Sequence, residues 1–90
     1  MGSSKITNIY TWKKYNWSYI ITNDTDGIVV GDTIFIKSKS NGDIQGGFKI
    51  ISLAEQVIQI KGICKNKTNI YWFKSINRKN DKIIVYPRLS

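Results

Sequence analysis

Isoleucine dominates the apolar content of this chain. It occurs 17 times in 90 residues, whereas leucine occurs twice. A β-branched side chain loses rotamer freedom in a helix and packs well on the pleated surface of a sheet. No stretch of ten or more residues repeats apolar side chains at the helical spacing i, i+3, i+4 and i+7. The sequence therefore predicts strands rather than helices.

Seven short apolar or alternating stretches are separated by turn-forming residues, as expected for strands. The clearest is Val57–Lys61, where Ile58 and Ile60 alternate with polar neighbours and are expected to point inward. The predicted strands are Ile6–Lys13, Trp17–Thr22, Ile28–Ser38, Phe48–Leu53, Val57–Cys64, Asn69–Ile76 and Lys82–Tyr86. A break at Gly31 is the alternative for the third of them. Asp26-Gly27 and Asn41-Gly42 are the strongest hairpin signals, because both dipeptides tolerate positive φ. Gly46-Gly47 indicates a bulge or bend at the start of a strand.

The length of the chain fits one domain. Residues 1–4 resemble an appended tag or a disordered N-terminus, and residues 5–90 are expected to form a single β domain. Short strands without helices predict an all-β fold, either a single small barrel or a sandwich, of about six to seven mostly antiparallel strands. The barrel is favoured because closure leaves no exposed sheet edge.

Location and source are also constrained by composition. The chain has one cysteine, which excludes an internal disulfide, and no apolar run near the ~18 residues needed to cross a membrane. We therefore expect a cytoplasmic protein of a bacterial, archaeal or infected host cell, without membrane contact. Heavy use of lysine, isoleucine and asparagine indicates an A/T-rich genome, such as that of certain bacteria, their phages or archaeal viruses. This coding bias is an alternative explanation for part of the lysine excess.

The residues that most enzymes rely on are scarce. The chain has no histidine, so the commonest general base and metal ligand are missing. Cys64 ends an apolar strand and is expected to be a buried small hydrophobe rather than a reactive thiol. Asp24 and Asp26 precede Gly27 as in a calcium loop, but Thr33 stands where such a loop needs its bidentate glutamate. The sequence predicts no enzyme, no metal and no cofactor.

Positive charge is concentrated toward the C-terminus. The net charge is +8, and residues 61–90 alone carry +7 of it, with eight basic residues against Asp81. Aromatic residues alternate with lysines in residues 10–19 and again in residues 69–74. Rings beside lysines suit a nucleic acid, because bases stack on the rings and the lysines neutralise phosphates.

These two segments supply the candidate nucleic-acid-binding residues. Stacking is assigned to Trp12, Trp17 and Trp72, and phosphate contact to Lys13, Lys14, Lys65, Lys67, Lys74, Arg78 and Lys79. The alternative is that the aromatic residues are structural, because a small domain needs them in its core. Strand alternation places either Tyr71 and Phe73, or Ile70 and Trp72, inward.

One stretch resembles a known family. Ile28-Val29-Val30-Gly31-Asp32-Thr33-Ile34-Phe35-Ile36, followed by Gly46-Gly47-Phe48-Lys49-Ile50-Ile51-Ser52, is similar to the Gly-Asp turn and glycine-led strand of PUA-like barrels, including the ASCH and EVE branches. The resemblance covers residues 28–52 and implies a barrel that binds RNA or a modified base. Gly31, Asp32 and Gly47 carry over as structural positions, and the base-pocket residues and helices of that family have no counterpart here.

The sequence thus predicts a non-catalytic β-barrel that binds single-stranded or modified nucleic acid, RNA or DNA, through a basic aromatic face. A protein partner is the main alternative: a viral or phage module, structural or anti-defence, whose positive pole meets an acidic host protein. A third hypothesis is carbohydrate binding through exposed Trp12 and Trp17.

Overall fold

The computed structural model describes residues 3–65, 67–77 and 83–85. It contains the strands β1 (Ser3–Trp12), β2 (Trp17–Thr22), β3 (Thr33–Ser38), β4 (Ile44–Ala54), β5 (Val57–Lys61), β6 (Ile70–Asn77) and β7 (Ile83–Val85). The predicted site residues Arg78 and Lys79 lie outside the described residues. In the described residues no helix has the length and apolar character needed to cross a membrane.

Six of the strands close into a barrel. Their order is β1-β2-β5-β4-β3-β6, all neighbours are antiparallel, and β6 pairs back onto β1. β7 extends the sheet by pairing with the end of β6. The prediction of a small all-β barrel is confirmed, and closure gives every barrel strand a partner on both sides.

The isoleucines fill the interior of this barrel. The fully buried ones are Ile20, Ile34, Ile36, Ile50, Ile58 and Ile60. They alternate along their strands with half-exposed or exposed residues, as in β2, where every second residue is buried. Each such side chain contributes roughly 1.5–3 kcal/mol when it leaves water. The inward alternation predicted for Ile58 and Ile60 is confirmed, and so is the burial of Cys64.

The connections between strands lie at two ends of the barrel. Residues 13–16, 39–43 and 62–69 join strands at one end, here called the upper end, and residues 23–32 and 55–56 join them at the lower end. Asn41-Gly42 lies in the turn between paired strands β3 and β4, as predicted. Asp26-Gly27 does not form a hairpin, because β2 and β3 are not neighbours and residues 23–32 cross from one to the other.

Some strand bounds also differ from the prediction. The strand predicted from Ile28 begins at Thr33, in agreement with the alternative of a break at Gly31, because Gly31 adopts a φ of 99° and its N–H donates to the Ile50 carbonyl at 2.9 Å. β1 begins earlier than expected, with Ser3 paired to Phe73 and Ser4 to Trp72, so these two residues belong to the barrel. A register shift opposite Ile34 and Phe35 confirms the bulge at Gly46-Gly47.

Candidate nucleic-acid interface

The β1–β2 hairpin places an aromatic cluster on the outside of the barrel. Trp12 pairs with Trp17 across the two strands, and Tyr10 pairs with Tyr19. Ser18, between Trp17 and Tyr19, is buried, so the aromatic residues of β2 must point outward. We call the set Tyr10, Trp12, Tyr15, Trp17 and Tyr19 the aromatic face.

The rings of the aromatic face contact one another. Trp12 meets Tyr19 edge-on with centroids 5.3 Å apart, Tyr15 lies 5.1 Å from Trp17, and Trp17 lies 6.2 Å from Tyr19. These are favourable separations for aromatic pairs. The cluster is therefore a continuous surface rather than a set of isolated side chains.

Much of this surface remains in contact with water. Tyr15 is 53% exposed, Tyr10 50% and Trp12 43%. Tyr10 is oriented by Asn8, whose amide donates to the tyrosine oxygen at 3.0 Å. Three large rings held on one surface of a small protein offer ring faces and edges to a ligand, whereas single exposed aromatics are ordinary on protein surfaces.

A tight turn supports the cluster. The N–H of Tyr15 donates to the Trp12 carbonyl and that of Asn16 to the Lys13 carbonyl, both at 3.2 Å, and Asn16 adopts a φ of 56°. The N–H of Gly62 donates to the Asn16 carbonyl at 2.6 Å, which joins the turn to the connection after β5. Lys13 and Lys14 are exposed on this turn, and the Lys14 ammonium lies 5.5 Å from the Tyr15 ring centroid.

Among the described connections, charge is divided between the two ends of the barrel. The described connections at the upper end carry one carboxylate, Asp43, and the lysines Lys13, Lys14, Lys39, Lys65 and Lys67. Those at the lower end carry no basic residue and the carboxylates Asp24, Asp26, Asp32 and Glu55. The fold thus brings lysines from distant parts of the sequence to the end at which the aromatic face begins, and an anion approaching there meets a positive potential.

The structure separates the predicted phosphate-binding lysines. Lys67 lies at the upper rim of the barrel, where its ammonium donates to Thr11 on β1 at 3.1 Å. Thr11 pairs with the buried Ser18, so its side chain lies on the opposite side of the hairpin from the aromatic face. Lys65 instead lines a groove of about 510 Å³ with Asp43, Ile44 and Gln45, on the β4 side of the upper end.

Lys74 lies at the opposite end of the barrel. Its ammonium is 3.3 Å from the Asp32 carboxylate and donates to the Gly27 carbonyl at 3.1 Å. Lys74 therefore holds the connection of residues 23–32 against β6. This position is at the other end of the barrel from Lys13 and Lys14, so the prediction that Lys74 binds phosphate in the same site as these lysines is wrong.

The second aromatic segment is buried. Trp72 has no exposed surface, and its indole N–H donates to Thr22 Oγ1 at 2.9 Å inside the barrel. The stacking role predicted for Trp72 is therefore wrong. Tyr71 and Phe73 point to the other side of β6 and are buried as well, with the Phe73 ring stacked on Phe35 at 5.7 Å. Ile70 and Trp72 therefore point into the barrel, and Tyr71 and Phe73, on the opposite side of β6, are buried as well.

The sequence analysis assigned no role to three rings of the aromatic face, Tyr10, Tyr15 and Tyr19. It also assigned none to Lys49 and Lys61, which lie in line with Trp17 across the sheet. Period-two alternation from Trp17 could have found Tyr19. Lys49 and Lys61 could not be found in this way, because they reach the site through the pairing of β5 with β2 and β4.

Residues 3–65, 67–77 and 83–85 include no group of three or more histidine, cysteine, aspartate or glutamate side chains placed to hold a metal ion. Comparisons of the chain with protein-family models, curated proteins and solved structures returned no match.

Proposed function

We propose that this barrel is a non-catalytic module that binds single-stranded nucleic acid, RNA or DNA, across its aromatic face. The observation that carries the proposal is the exposed cluster of contacting aromatic rings at the positively charged upper end. Unpaired bases stack on such rings with about 1–3 kcal/mol each, and lysines beside them attract the phosphates.

A single strand suits this surface better than a duplex. The rings lie on the outside of a barrel, where splayed bases can reach them, whereas the bases of a duplex are already stacked on each other. Lys13 and Lys14 lie on the turn at the upper edge of the cluster, and Lys67 lies at the upper rim of the barrel beside β1. These lysines supply the charge that a phosphate backbone needs. A modified base with an exposed ring face is accommodated by the same chemistry.

Fluorescence anisotropy with labelled oligonucleotides tests the proposal. Single-stranded DNA, single-stranded RNA and a duplex of equal length are titrated with the protein at ~50 and ~200 mM salt. We expect saturable binding to at least one single strand, weaker binding to the duplex, and affinity that falls as salt rises. Trp12→Ala should weaken binding, whereas Val30→Ala, an exposed apolar residue at the lower end, should not.

Indifference of the wild-type protein to all three nucleic acids at low salt would refute the proposal. A partner acting on the same positive charge, such as an acidic protein, would then be sought by pull-down.

A further inference from the structure

Two lysines lie directly opposite each other on the outer surface, next to the aromatic face. Lys49 on β4 pairs with Lys61 on β5, and Lys61 pairs on its other side with Trp17 on β2. Trp17 in turn pairs with Trp12 on β1. The four residues form one row across neighbouring strands about 4.8 Å apart, with rings at one end and ammonium groups at the other.

No negative charge among the row's neighbours balances the two lysines. Like charges directly opposite on an antiparallel pair are destabilising. The remaining cross-strand neighbour of Lys49 is Thr33, and the next outward residue on β5 is Gln59. Asp32, which precedes Thr33 in the chain, accepts the Val29 N–H at 3.0 Å and pairs with Lys74 at 3.3 Å.

That ion pair is the single salt bridge found within the described part of the chain. Neither Lys49 nor Lys61 has a carboxylate partner there. An uncompensated like-charge pair costs folding free energy, so an anionic ligand that bridges the two ammonium groups would relieve a repulsion built into the sheet.

The neighbouring tryptophan has an unused donor. The indole N–H of Trp17 is buried and has no hydrogen-bond partner among the described residues. Buried N–H groups are nearly always paired in folded proteins. Trp17 lies directly beside Lys61. The unpaired indole N–H and the uncompensated pair of lysines therefore belong to the same row of residues.

We infer that Lys49 and Lys61 form a phosphate-binding site, which holds the phosphate of a nucleotide whose base stacks on the aromatic face. The inference rests on the proposed function for the identity of the molecule that carries the phosphate. Two ammonium groups on flexible stems can converge on the oxygens of one phosphate. The bound strand then runs with its backbone over β5 and β4 and its bases over β1 and β2.

Thermal unfolding with an inorganic polyphosphate tests the site without any oligonucleotide. Wild type, Lys49→Gln, Lys61→Gln and the control Lys39→Gln are unfolded in sodium tripolyphosphate and in sodium chloride of equal ionic strength. Lys39 is an exposed lysine of the upper end and controls for general charge. We expect tripolyphosphate to raise the Tm of the wild type and of Lys39→Gln, and to raise that of the two site variants much less.

The same variants are then tested with the single strand that binds best. Each site variant should weaken binding several-fold and lower the slope of log K against log salt by about one, whereas Lys39→Gln should change both less. Without ligand, Lys49→Gln and Lys61→Gln should melt no lower than the wild type, because the repulsion is removed.

The outcomes separate the two proposals. If all four proteins respond alike to tripolyphosphate and the salt slope is unchanged in the site variants, the phosphate site is refuted while oligonucleotide binding still supports the proposed function. If the wild type binds no oligonucleotide but its stabilisation by tripolyphosphate depends on Lys49 and Lys61, the proposed function is refuted and the anion site stands.

Discussion

The two aromatic segments look alike in the sequence and end in opposite environments. Trp17, in the first, lies on the outside of the barrel, and its indole N–H has no hydrogen-bond partner in the described part of the chain. Trp72, in the second, has no exposed surface, and its N–H is bound to Thr22. Aromatic residues interleaved with lysines therefore do not identify a binding surface by themselves.

The difference arises from the side of the strand on which each ring falls. A shift of one residue in register moves every side chain of a strand to the opposite face. Trp72 pairs with Ile36, an inward residue of β3, whereas Trp17 pairs with Lys61, an outward residue of β5. The comparison predicts that changes in the second segment alter stability and changes in the first alter binding.

The largest expected effect is on folding. Trp72→Ala should destabilise the protein by about 3–5 kcal/mol, because it leaves a cavity in the barrel core. Trp12→Ala, at a 43% exposed position, should cost far less. Urea unfolding followed by circular dichroism measures both, and equal losses for the two variants would contradict the division between core and surface.

The next effect is on binding. Trp17→Ala should reduce the free energy of single-strand binding by about 1–3 kcal/mol, because one stacking ring is lost. Trp72→Phe, which keeps a ring in the core, should bind like the wild type while it remains folded. Anisotropy titrations of both variants check this, and unchanged affinity in Trp17→Ala would remove that ring from the interface.

An effect of similar size, on folding rather than on binding, should follow from the hydrogen bond that distinguishes Trp72. Thr22→Val keeps the shape of the side chain but leaves the Trp72 N–H without its acceptor, and also removes the bond from the Thr22 hydroxyl to the Lys5 carbonyl. We expect a loss of about 1–3 kcal/mol in the free energy of unfolding. Thr7→Val, which removes an exposed hydroxyl bonded to Ile21, is the matched control and should lose well under half as much.

The smallest effect concerns alkaline pH and the second segment. Burial raises the pKa of Tyr71 above its ordinary value of 10.0, since the charged phenolate is disfavoured there. The stability that this shift contributes is complete below pH 10 and is lost as pH rises through the folded-state pKa. The free energy of unfolding of Tyr71→Phe should therefore fall less steeply with pH than that of the wild type between pH 10 and pH 11. Parallel pH profiles of the two proteins would show that Tyr71 contributes nothing to alkaline unfolding.

The sequence predicts some features well because they depend on local pattern. Alternation in Val57–Lys61 correctly places Ile58 and Ile60 in the core, and Asn41-Gly42 correctly marks a hairpin. Each of these features is determined by a few consecutive residues within a single strand or a single turn, so a local sequence pattern is enough to predict it.

Features that depend on strand order were beyond the sequence. Asp26-Gly27 has the composition of a hairpin, yet its flanking strands pair elsewhere in the barrel. Lys49 and Lys61 are twelve residues apart in the chain, and only the pairing of β4 with β5 makes them neighbours. The same reasoning explains Trp72, whose inward direction is set by its pairing with β3 and β1.

Tryptophan fluorescence during titration with a single strand tests the central claim most directly, because a stacked base quenches the indole that it covers. The titration is run on the wild type, on Trp72→Phe and on the double variant Trp12→Phe/Trp17→Phe. We predict saturable quenching in the wild type and in Trp72→Phe, and little change in the double variant, whose remaining indole is buried. Quenching that persists in the double variant, or none in the wild type at low salt, would contradict the assignment of the aromatic face as the binding surface.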